Sequence, residues 1–118
     1  NLKRQNGIFL PTRDKKEYYV GSSIQFRLKE FDDSLIKLFV NNCKSRGVDL
    51  KWFGDKNPIA YTSRYDSWEY IEEIPILSQT LNILKTTLDM RIPLTFDIDD
   101  CKVISNIIIE EFNKLNLQ

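Results

Sequence analysis

Histidine is absent from this 118-residue chain, methionine occurs once and cysteine twice, and neither sign of charge is in excess, with 17 basic against 17 acidic side chains. The missing histidine removes the commonest general base and the commonest metal ligand, so autonomous hydrolytic or zinc chemistry is not expected. The charge balance lacks the basic footprint that nucleic-acid binding needs. No apolar run approaches the roughly 18 residues that cross a bilayer, and no secretory signal pattern opens the chain. No membrane association is therefore expected, and the cytoplasm is the expected compartment. Phosphate loops and common catalytic motifs are missing too: there is no GxGxxG, no GxxxxGK followed by Ser or Thr, no CxxC and no GxSxG. Cys43 and Cys101 each fall within an amphipathic helical pattern, where a thiol packs as a small hydrophobe, so neither a disulfide nor a redox role is expected of them.

What remains is a chain long enough for one domain with a modest core and too short for two. It begins at Asn1, holds its only methionine at Met90, and opens on residues that read as the tail of something earlier, so a fragment of a longer protein is expected. Residues 1–17, with Gly7, Pro11 and a cluster of charges, read as an entering segment from a missing large domain, in which "GIFLP" is an anchored stretch rather than a full element. The domain proper is expected over residues 18–118.

From Val20 onward "YYVGSSIQFRL" alternates, with Ile24, Phe26 and Leu28 on one face and Ser23, Gln25 and Arg27 on the other, as a half-buried strand does. Asp32 or Asp33 then offers an N-cap, Leu35, Ile36, Phe39, Val40 and Cys43 recur at helical spacing, and Gly47 supplies the stop. "VDLKWF" reads as a short strand. A second helix is expected over "IPILSQTLNILK", with Pro75 in the first turn and Ile76, Leu77, Leu81 and Leu84 as its buried stripe. "TTLDMRIPLTF" alternates again, with Leu88, Met90, Ile92, Leu94 and Phe96 on one side and Asp89, Arg91, Pro93 and Thr95 on the other; Pro93 indicates an edge or a strand end. In "DIDDCKVISNIIIEEFNKL", Asp97 suits an N-cap and Cys101, Ile104, Ile108, Phe112 and Leu115 form a helical stripe, although the Ile-rich centre also suits a strand. Both long strands carry one apolar and one polar face. The expected fold is therefore α+β, a two-layer sandwich with a small, mainly antiparallel sheet, helices on one face, and the other face left for water or a partner.

Acidic pairs occur at Asp32/Asp33, Glu72/Glu73, Asp99/Asp100 and Glu110/Glu111, each at a helix start, in a loop or on the expected solvated side of a helix. Capping and solvation account for them better than glycosidase-type chemistry, which needs two carboxyls facing each other across a cleft. Arg27 and Arg91 are stronger candidates, because a planar guanidinium on a rigid strand suits a bidentate grip on carboxylate or phosphate. Against this, Asp89 and Arg91, two apart on one strand face, could simply form a weak surface pair. "LKWFGDKNPIAYTSRYDSWEY" holds both tryptophans and six of the fourteen aromatic residues. A loop of roughly twenty residues is uncommon in a compact domain and tends to be functional. Tyr61, Thr62, Ser63 and Arg64 group hydroxyls around a cation as a substrate-lining loop would, while Trp52, Trp68 and Tyr70 suit anchors that pin the loop down.

"YYVGSSIQFRL", "LKWFGDKNPIAYTSRYDSWEY" and "TTLDMRIPLTFDIDDCKVI" together resemble the C-terminal small domain of a fold type I pyridoxal-phosphate (PLP) dependent aminotransferase, close to the DegT/DnrJ/StrS sugar-aminotransferase group. The resemblance covers nearly the whole chain, including "NGIFLPTRDKKEYYVG", which is similar to the passage out of the large domain; "KWFG…P…TSRYDSW" is its most specific piece. In the family a strand just before the last helix generally bears an arginine for the substrate carboxylate, and the resemblance puts Arg91 in that role. The group often carries a histidine in the preceding loop, and this chain has none. With Arg91, the expected substrate-binding set is Arg64, Ser63, Tyr61 and Arg27. The resemblance implies that PLP is bound by a large-domain lysine as a Schiff base, with an acidic residue at the pyridine nitrogen and the cofactor as electron sink. No lysine here matches that motif, so the fragment alone is expected to hold no PLP and to be inactive. The parent would be a homodimer acting on an amino donor and a keto substrate, a sugar among the alternatives. The competing expectation is a non-catalytic module that binds a small ligand or dimerises.

Overall fold

The computed structural model describes residues 2–57, 66 and 72–115. Capping sets its two long helices. Helix α1 (Asp33–Ser45) starts at Asp32, whose Oδ1 accepts from the Leu35 N–H at 2.9 Å and from the Ser34 hydroxyl at 2.6 Å. It ends where Gly47 turns at φ +85°, and the Val48 N–H returns to the Cys43 carbonyl at 2.9 Å. Helix α3 (Ile98–Leu115) starts at Asp97, whose Oδ1 accepts from the N–H groups of Asp99 and Asp100 while Asp100 Oδ2 accepts from the Asp97 N–H. That reciprocal arrangement satisfies the orphan donors of the first turn, and the two aspartates complement its dipole.

Four antiparallel strands make the sheet: β1 (Ile8–Phe9), β2 (Ser23–Leu28), β3 (Lys51–Trp52) and β4 (Thr87–Arg91), in the order β1-β2-β4-β3. The register pairs Ile24 with Met90 and Phe26 with Leu88, and Trp52 lies opposite Leu88. Pairing therefore gathers the apolar residues of every strand on one face. There they pack with Ile36, Phe39 and Cys43 of α1 and with Ile108, Phe112 and Leu115 of α3 as a single core. The fold is α+β, with a small antiparallel four-stranded sheet, as the alternation and helical spacing predict.

The entering segment joins this core. A 3₁₀ turn at Leu2–Arg4 buries Leu2, and Gln5 Nε2 donates to Asn113 Oδ1 of α3 at 2.7 Å. Gly7 then crosses Phe112 so closely that a Cβ would stand 2.6 Å from the ring, at φ +93°. "GIFLP", expected as a stretch without its own element, supplies β1: Ile8 pairs with Leu28 and Phe9 with Arg27.

Three expectations need correction. The helix expected over "IPILSQTLNILK" is the seven-residue α2 (Ser78–Leu84), and it buries none of its residues. Ile76 lies before its start and is 87% exposed, and Leu77 and Leu81 are exposed as well. The β4 alternation stops at Arg91, since Ile92 N–H makes the last ladder bond to Ser22 O and Pro93 can make none. Leu94 and Phe96, expected on the buried side, are exposed in the turn beyond. Cys101 is likewise exposed, because α3 begins beyond the end of that strand, whereas Cys43 is fully buried. Among the described residues no helix is long and apolar enough to cross a membrane.

Candidate functional site

The sheet face opposite α1 and α3 carries the candidates. By register and alternation it presents Ser23, Gln25 and Arg27 from β2, Thr87, Asp89 and Arg91 from β4, Lys51 from β3 and Phe9 from β1. Asp89 stands between Gln25 and Lys51, Arg91 lies opposite Ser23, and Arg27 lies between Phe9 and Thr87. Arg91 is exposed and makes no hydrogen bond or ion pair with any described residue. The surface pair with Asp89, the plainer expectation, does not form, because both side chains stand upright from the pleat two residues apart.

Arg27 differs in state and position. It is half-buried, and its Nε donates to Thr86 Oγ1 at 3.0 Å. Since Arg27 is level with Thr87, it stands four residues from Arg91 along the sheet, about 13 Å at the rise of a strand. The two arginines therefore sit at opposite ends of the polar face. Tyr61, Ser63 and Arg64 lie outside the described residues, as do Trp68 and Tyr70. Trp52 is buried, its Nε1 donates to the Lys85 carbonyl at 2.8 Å, and Gly54 leaves no room for a Cβ against either group.

Among the described residues four hollows adjoin these elements, the most voluminous of them, about 570 Å³, running along β1 and on to Arg13, with Tyr19 and Gln25 in its lining. Of the other three, one of about 300 Å³ lies on the open face at the Arg27 end, lined by Phe9, Gln25, Lys29, Ile83 and Thr87. A second, about 380 Å³ and mainly apolar, lies where Met90, Ile92 and Phe96 meet Ile104 and Ile108, with Lys3 and Lys102 among its lining. In the third, about 280 Å³, Lys85 Nζ stands 3.4 Å from Asp33 Oδ1. Lys29 and Phe9 escaped the sequence reading. Lys29 shares the parity of Arg27 one residue beyond the end of β2, which is a visible signal, but nothing in the sequence shows that Phe9 pairs beside Arg27.

Charge elsewhere is structural. Glu111, expected on a solvated helix side, is only 2% exposed, which corrects that reading. Its Oε1 accepts from Lys114 Nζ at 2.7 Å and from Arg46 Nη1 at 2.8 Å, while Arg46 Nη2 also holds Glu110 at 2.7 Å. Lys114 and then Arg46 hold the Glu111 carboxyl below its usual range, outweighing the opposing effect of burial. Burial, reinforced by Glu111, pushes the Cys43 thiol up to about 12. Among the described residues, no group of three or more His, Cys, Asp or Glu could hold a metal ion.

No protein-family model, curated protein or solved structure matches this chain.

Proposed function

We propose that this chain is the C-terminal small domain of a PLP-dependent aminotransferase, which covers the substrate from one side, and that Arg91 grips the substrate carboxylate. The observation that carries this reading is the guanidinium of Arg91 at the end of β4, without a partner among the described residues and on the sheet face free of the two long helices. A strand fixes the arginine's direction, and a guanidinium with no competing partner offers a carboxylate two parallel hydrogen bonds. The sequence resemblance supports the same role for the same residue. Tyr61, Ser63 and Arg64 would line the substrate from the aromatic loop. The parent is proposed to be a cytoplasmic homodimer that takes an amino donor and a keto substrate.

PLP is proposed to be held outside this chain: Schiff-base formation needs a nucleophilic lysine, the resemblance places that lysine in the large domain, and Lys85 is engaged by the Asp33 carboxylate as an ion pair. No step of transamination is therefore assigned to this chain; its contribution is to bind and orient.

A free-standing small-ligand module is the second reading, favoured by the apolar hollow of about 380 Å³. Sequencing the gene upstream of Asn1 and expressing the whole protein separates the two. The expected result is a reading frame some hundreds of residues longer, about the size of a large domain, whose product is yellow with bound PLP, while the 118-residue chain stays colourless after dialysis from PLP. The absence of an upstream frame, or a stable yellow adduct on the short chain, overturns the proposal.

A further inference from the structure

We infer that the hollow at the Arg27 end of the open sheet face binds the oxyanion of a small organic phosphate or carboxylate, held by Arg27 and Lys29 with its apolar body against Phe9. The hollow measures about 300 Å³, and its polar lining consists of Gln25, Arg27, Lys29 and Thr87, with no carboxylate among its lining residues. Arg13, Lys44, Arg46, Lys85, Lys102 and Lys114 have acidic partners, whereas neither Arg27 nor Lys29 has one among the described residues. Two cations converging without an anion repel each other, and a bound oxyanion relieves that repulsion.

Both cations are aimed. Arg27 Nε donates to Thr86 Oγ1 at 3.0 Å, and that hydroxyl donates to Ile83 O at 3.2 Å. The guanidinium plane is thereby fixed from behind, and its two terminal nitrogens are left for a bidentate acceptor. Lys29 Nζ stands 4.3 Å from the centroid of the Phe9 ring, a cation–π distance that holds the ammonium above the same hollow. Phe9, paired beside Arg27, and Ile83 supply the apolar wall. The site is about 13 Å from Arg91 along the sheet, and it stands whether or not the chain belongs to an aminotransferase.

Amide-resolved NMR titration of the 118-residue chain with phenyl phosphate, benzoate and neutral benzyl alcohol tests the assignment. The expected result is saturable shifts at Phe9, Arg27, Lys29 and Thr87 with an anion and none with the alcohol; tighter phenyl phosphate identifies a phosphate ester, and tighter benzoate a carboxylate. Arg27→Gln and Lys29→Gln should each weaken binding about tenfold, as loss of a charge-assisted hydrogen bond does, and Arg91→Gln should leave it unchanged. Arg27 also bonds Thr86, so the decisive variant is Lys29→Glu at an exposed position, which should abolish binding while the spectrum stays that of a folded protein. Absence of saturable shifts at these amides, equal binding of benzyl alcohol, or unchanged affinity in Lys29→Glu overturns the inference.

Discussion

Cys43 and Cys101 carry the same group in opposite surroundings, and the contrast shows what residue-scale reading can deliver. Both fall on helical stripes, yet Cys43 packs fully buried under the sheet whereas Cys101 is exposed beside the apolar hollow at the start of α3. The stripe gives the direction of a side chain; whether a strand lies across from it depends on where β4 stops, and Pro93 decides that. The chemistry should follow the surroundings. With a thiolaryl disulfide reagent at neutral pH, the native chain should release one equivalent, from Cys101, and denaturant should expose the second, because the Cys43 thiol is both inaccessible and raised to about 12. Two equivalents from the native chain would contradict the buried placement of Cys43. Glu111 was illegible for a related reason. Beside Glu110 it reads as a solvated acid, and only the packing of α3 on α1 brings Arg46 to cover it.

At the scale of elements, α1 was legible because a capping aspartate, helical periodicity and a terminal glycine agree, and β2 because its alternation is consistent; α3 had its cap and stripe, but an Ile-rich centre that also suits a strand. The β1 pairing was not, since a two-residue strand carries no periodicity and its register depends on a partner twenty residues away. Helix α2 misled because its apolar residues are numerous but its seven residues reach no core. The join between α1 and α3 carries a testable pH dependence. Glu111 is held below its ordinary value near 4.5, so its stabilising effect is complete above that value and is lost as pH falls through the lowered one. Glu111→Gln should therefore destabilise the chain at pH 7 and flatten the decline in stability below pH 4.5. The expected cost is about 1 kcal/mol, because Lys114 and Arg46 remain partly solvated and rehydrate when released. Denaturant melts of both forms across the acid range measure it; equal acid sensitivity would contradict the role given to this carboxylate.

At the scale of the whole molecule, strand alternation showed in advance that one sheet face would be buried and the other polar. It did not show that Arg27 and Arg91 stand at opposite ends of the polar face, because that follows from the registers of strands distant in sequence. The separation gives the face two centres of positive charge with Asp89 between them, so binding at one end need not disturb the other. The central claim, that Arg91 grips a substrate carboxylate, concerns the Arg91 end, and steady-state kinetics of the proposed parent aminotransferase test it most directly. Arg91→Ala should lower kcat/KM for the amino donor about tenfold or more, as loss of a charged hydrogen bond to substrate does. Unchanged kcat/KM for the donor in Arg91→Ala would contradict the account.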